Sequence, residues 1–301
     1  MKTGIVMVLL SAALACDSSG ADGPPIDSLP GNGPDGSPSP SPPSADAALP
    51  VQPVDFVAPG SREVSSQSGS VAIPGCTISY TLYQPASGAP DSLVVLGHGF
   101  SRGQSNMIGI AEHMASHGAR VVTPDFCNVS DHGQNGVDAA DLAEALAPGQ
   151  PVVYAGHSAG GLSAVLAASQ DSDAIAVLAL DLTDADGQAV AAAESMTIPM
   201  FDLVGESGSC NSSGNGIAAF EGANAWAARL PGATHCDFEE PSGFLCTFAC
   251  GSETGAVETV KALAAAFATW QLGLAPAGQD WASPSGDEWA ALVADGVLKP
   301  L

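Results

Sequence analysis

Hydrophobic and polar positions along this chain follow two rhythms. Residues 62–73 and 76–84 alternate apolar and polar around Pro74-Gly75, which predicts an antiparallel pair of strands. Beyond them the apolar residues come in runs without alternation, within 91–97, 119–124, 151–155, 174–182, 198–204 and 225–230. Helical spacing fills the gaps. Residues 106–117 place Ile108, Ile110, Ala111 and Met114 near one face, and 137–146 form a second helix. A long last helix over 254–272 carries Val257, Val260, Leu263, Ala264 and Phe267 at helical intervals, with Gly273 as its stop. Such apolar strands alternating with helices predict an α/β fold, a mostly parallel sheet covered on both faces. Residues 276–301, with Trp281 and Trp289, read either as a short packed helix or as a tail.

The start of the chain obeys neither rhythm. Lys2, the apolar run Ile5 to Leu10 and the small residues Ala12 to Ala15 read as an export signal over 1–15. The apolar run is too short to cross a bilayer. Cys16 stands where bacterial lipoproteins are lipidated, although Ala13 and Leu14 depart from the usual aliphatic and small residues there. Two outcomes are open: a lipoprotein tethered to a membrane through Cys16, or a secreted protein. Both are extracytoplasmic. Residues 16–52 are rich in Pro, Gly and Ser and predict a linker unable to bury a core. One folded domain is expected over 53–275, without repeats or a large insertion.

Charge removes some function classes. Seven Lys and Arg oppose 32 Asp and Glu, for a net charge of −25. Nucleic-acid binding needs clustered cations, and none occur. There are seven cysteines, and setting Cys16 aside leaves Cys76, Cys127, Cys210, Cys236, Cys246 and Cys250. An even set in an exported chain predicts disulfides, with 15 pairings open. Their spacing to histidines suggests no zinc site, so neither a metal nor an organic cofactor is expected.

The chemistry centres on Gly156-His157-Ser158-Ala159-Gly160. It lies between an apolar strand and a small-residue helix starting at Gly161. A serine at such a turn projects its hydroxyl towards a base. Gly99-Phe100-Ser101-Arg102-Gly103 repeats the pattern, but Arg102, Gln104 and Asn106 suit an exposed loop. Ser158 is therefore the candidate nucleophile.

A serine nucleophile needs a base, an acid to orient it and donors for the oxyanion. His235 is the one histidine downstream of Ser158 in the chain. Asp181, at the end of the strand following the serine, is the preferred acid. Glu206 and Asp184 are the alternatives, and Asp202 reads as structural. The amides of Ala159 and Phe100 are the candidate oxyanion hole, the latter in the glycine-rich turn Gly97-His98-Gly99.

Gly97-His98-Gly99-Phe100, Ala111 to Gly118, Val121 to Phe126, Gly156 to Gly161, Leu178 to Asp181 and Thr234-His235 together resemble the α/β-hydrolase superfamily. The likeness spans about residues 70–270. It is greatest to the branch of chlorophyllases, platelet-activating-factor acetylhydrolases, dienelactone-hydrolase-like enzymes and bacterial polyester hydrolases. The first two groups take their acid where Asp181 stands; polyester hydrolases take it one strand later, where this chain has Gly208. The resemblance implies an α/β-hydrolase fold and a serine esterase acting on small-molecule, lipid or polyester esters through Ser158, Asp181 and His235. A peptidase or acyltransferase using the same triad, and a hydrolase-like lipoprotein that binds without catalysis, are the alternatives. Oligomeric state is left open.

Overall fold

The computed structural model describes residues 54–301. The expected signal at 1–15, the lipidation site Cys16 and the linker at 16–52 lie outside the described residues. Nine strands form one mixed, mostly parallel sheet. Strands β1 (Val64–Ile73) and β2 (Cys76–Pro85) are the expected antiparallel pair, with Ile73 opposite Cys76 across Pro74-Gly75. The parallel body comprises β3 (Leu93–Gly97), β4 (Val121–Asp125), β5 (Val152–His157), β6 (Ala174–Leu180), β7 (Met200–Val204) and β8 (Ala225–Arg229). The spatial order is β1-β2-β4-β3-β5-β6-β7-β8, completed by β9 (Lys299–Pro300), which runs antiparallel to β8.

Alternate residues of each central strand feed opposite cores. Val94 and Leu96 of β3 join Val153 and Ala155 of β5 on one face. Leu93 and Val95 join Val152 and Tyr154 on the other. This explains the apolar runs, since both sides of every central strand are covered. The first face is covered by α1 (Ile108–Ser116) and α6 (Val257–Gln271), the second by α2 (His132–Leu146), α3 (Ala159–Ala168) and α4 (Gln188–Ala193). Helix α2 starts five residues before the expected 137, because Asp131 accepts the Gln134 amide and caps it. The strand expected over 174–182 ends at Leu180, where Asp181 turns out of the sheet.

The C-terminal residues belong to the domain, which extends the expected boundary of 275 to the end of the chain. Helices α7 (Gly278–Ala282) and α8 (Asp287–Ala294) pack Ala282 and Trp289 into the first core, and Trp226 donates to the Ala282 carbonyl at 3.1 Å. A helix that the hydrophobic pattern missed, α5 (Phe244–Cys250), lies beyond His235.

Three disulfides join Cys76 to Cys127, Cys210 to Cys250 and Cys236 to Cys246. They agree with an extracytoplasmic compartment. The last two staple α5 at two of its seven positions, one of them to the residue after His235.

Candidate active site

Crossovers from β3 to β4 and from β5 to β6 leave in opposite directions along the sheet, so the order reverses between β3 and β5. A crevice opens at the carboxyl ends of strands where the order reverses. The candidate residues sit there. Ser158 occupies the turn between β5 and α3, with φ at +56°. The residues two places to either side of it must be glycine. A Cβ on Gly156 would stand 2.3 Å from the Gly160 carbonyl oxygen, and one on Gly160 would stand 2.5 Å from that of Gly97. The other copy of the motif is less crowded and meets side chains rather than backbone: a Cβ on Gly99 would stand 3.1 Å from His157 Nδ1, and one on Gly103 3.0 Å from the Asp125 carboxylate. Ser101 lies in the exposed turn after β3.

His235 begins a short helical turn after β8, and its Nδ1 lies 2.6 Å from Asp181 Oδ2. Asp181 is fully buried and also accepts from the Gly205 amide at 3.0 Å and from Asn211 Nδ2 at 3.0 and 3.2 Å. These donors hold the carboxylate in place and leave Oδ2 directed at the histidine. Sequence reasoning missed Asn211. It follows the Gly208 position at which the acid of polyester hydrolases was looked for, and its Oδ1 accepts the Gly208 amide at 2.9 Å.

The alternative acids do not reach His235. Glu206 is exposed and accepts the Gly232 amide at 2.9 Å. Asp184 caps α4, accepting the amides of Ala189 and Val190 at 2.9 and 3.4 Å. Asp202 is buried in β7, where loss of solvent and the charge of Asp181 push its pKa up to about 8. It lies inside the strand, and a pKa raised to that level favours the protonated carboxyl at neutral pH.

Ser158 and His235 line one cavity of about 320 Å³, with Phe100 on its rim and Leu245 and Cys250 of α5 on its wall. The serine hydroxyl makes a 3.4 Å hydrogen bond to Thr183 Oγ1. Among the described residues, neither the Phe100 nor the Ala159 amide has a hydrogen-bond acceptor, so both are free to donate. The peptide carrying the Phe100 N–H is pinned through its carbonyl. Gly99 O accepts from His98 Nδ1 at 2.9 Å and from the Arg102 amide at 3.1 Å. His98 Nε2 accepts the Phe126 amide at 3.3 Å, which fixes Nδ1 as the protonated nitrogen. Burial lowers the His98 pKa, which keeps that neutral tautomer.

Behind His235 lies a second polar group. The His157 ring packs against it with centroids 4.4 Å apart. Burial, and then the neighbouring His235 and Arg102, hold the His157 pKa well below its ordinary value, so the ring is neutral. Glu239 Oε2 lies 3.8 Å from His157 Nδ1 and 3.2 Å from Arg102 Nε. Burial raises the Glu239 pKa and Arg102 opposes the rise. The pair ties the turn after β3 to the segment after His235.

No protein-family model matches the chain, and no curated protein matches it in sequence.

Proposed function

We propose that the protein is an extracytoplasmic serine hydrolase of carboxylic esters, with an α/β-hydrolase fold, exported as a lipoprotein anchored through Cys16 or as a secreted enzyme. One observation carries the reading. His235, hydrogen-bonded to Asp181 at 2.6 Å, lines the same cavity as Ser158, which sits in a turn that requires glycine at 156 and 160. Serine, acid and histidine follow in the chain order usual for such hydrolases.

In this reading the Ser158 side chain rotates from Thr183 towards His235 as the ester binds. Contacts of this kind are commonly loose before substrate arrives. Ser158 Oγ then attacks the carbonyl carbon and His235 Nε2 takes its proton. The charge that develops on the carbonyl oxygen is met by the Phe100 and Ala159 amides. Collapse of the tetrahedral intermediate expels the alcohol, to which His235 returns the proton. Water, deprotonated in turn by His235, releases the acid and restores the serine. Asp181 keeps the His235 Nδ1 hydrogen bond throughout and stabilises the imidazolium. These steps use the chain's own groups.

A fluorophosphonate tests the assignment. The folded protein is expected to be labelled at Ser158, as located by peptide mass spectrometry, and Ser158→Ala to be inert. Folded protein that resists labelling, or labels elsewhere, overturns it.

A further inference from the structure

Helix α5 has two sides with different surroundings. Leu245, Cys246, Ala249 and Cys250 line the cavity that holds Ser158 and His235. Phe244 and Phe248 lie outside it, 78% and 80% exposed, with ring centroids 5.9 Å apart. Leu245 is itself 65% exposed, and Phe100, across the cavity, is 56% exposed. None of the seven residues of α5 is charged. A helix this short and this apolar is held in water by its two disulfides rather than by packing. Contiguous exposed apolar side chains at the mouth of a cavity mark a contact surface.

We propose that the Phe244–Phe248 face of α5, with Leu245 and Phe100, docks on the fluid surface of an uncharged, water-insoluble acyl ester, such as a triacylglycerol droplet, and passes single molecules to Ser158. The proposal rests on the hydrolase reading for the fate of the ester, but not for the docking. Three observations select this occupant. The patch is continuous with the cavity, so whatever covers it also stands at the entrance. A small dissolved ester fits a cavity of about 320 Å³ and leaves both phenylalanines in water, whereas an extended apolar phase covers them. A net charge of −25 opposes an anionic surface and opposes a second copy of the chain. The fluid state follows from shape. Side chains exposed to this extent bury their rings by insertion, and a rigid solid meets only their outer edges.

The test compares the wild type with the double variant Phe244→Ser/Phe248→Ser in two assays. Flotation with a triolein emulsion measures docking, and turnover of dissolved p-nitrophenyl acetate measures the site. The wild type is expected to float with the emulsion and the variant to bind at least tenfold less, while turnover of the dissolved ester stays within about threefold. Equal flotation of the two proteins overturns the docking. So does equal loss of both activities, which would put the two rings in the active site itself. Wild type that binds phosphatidylglycerol vesicles or a solid polyester film as tightly as the emulsion removes the stated partner. A dimer in sedimentation that the variant dissolves makes the face a self-interface instead. Protein that floats and hydrolyses no ester leaves the docking standing and overturns the hydrolase reading alone.

Discussion

His235 has two polar neighbours held by different forces. On one side Asp181 is fixed by directional bonds that it accepts from Gly205, from Asn211 and from the histidine itself. On the other, His157 is held by ring packing, and Glu239 by one ion pair to Arg102. The first arrangement sets where a proton goes, because hydrogen bonds choose a tautomer. The second sets where a loop goes, because an ion pair is attractive over a range of angles. Both sides are buried and ionisable, yet only one has the geometry of an orienting acid.

Breaking each side in turn separates these roles. His235→Ala is expected to lower ester turnover ~10⁴-fold, or about 5.5 kcal/mol of transition-state stabilisation. Asp181→Asn should cost nearly as much, because it leaves the imidazole without its acceptor. Steady-state kinetics on a dissolved aryl ester measures both, and turnover of Asp181→Asn within tenfold of wild type would reassign the acid. Glu239→Gln strands the Arg102 charge, whose side chain is only 12% exposed. Folded stability should fall by about 3 kcal/mol in urea titrations, with turnover reduced tenfold or less. A larger kinetic than stability effect would move Glu239 into the catalytic machinery.

Asp202 gives a smaller and graded effect. Its pKa of about 8 in the fold lies above the 3.8 of a free side chain. The folded protein therefore keeps a proton that the unfolded chain releases. That contribution is complete below about pH 4 and is lost as the pH climbs towards 8. Asp202→Asn keeps an acceptor for the Leu182 amide and removes the linkage. Wild-type stability should fall relative to the variant by up to about 1.4 kcal/mol per pH unit across this window. Parallel stability curves for the two proteins would show that the carboxyl is ionised in the fold. Smallest of all, Asp184→Ala removes the cap of α4. It should cost about 1 kcal/mol in thermal or urea unfolding and leave kinetics unchanged.

The parallel sheet was legible because strands covered on both faces are mainly apolar and do not alternate, and that pattern survives without knowledge of the fold. The meeting of Ser158, Asp181 and His235 in space was legible from strand ends, since each residue follows a run that became β5, β6 or β8. Helix α5 was not legible. Its pattern, FLCTFAC, has no polar face, and its stability comes from cysteines whose pairing spacing cannot give. Asn211 and Thr183 were invisible for another reason. Each approaches its partner from a separate loop, and a lone amide or hydroxyl in a loop carries no periodic signal. The C-terminal residues were ambiguous because two tryptophans far apart in sequence reveal little until β8 and α6 provide surfaces for them.

Two of the three residues assigned to the triad hang from left-handed backbone: Ser158 at φ +56° and Asp181 at φ +54°. Glycine would occupy either place with less strain, by about 1–2 kcal/mol. The same strain has opposite consequences at the two positions. Ser158→Gly sheds it and gives up only the 3.4 Å hydrogen bond to Thr183, so the protein gains stability by losing that hydroxyl. Asp181→Gly sheds it too, but strands the Gly205 amide and Asn211 Nδ2 inside the fold, so there the carboxylate holds its own backbone in place.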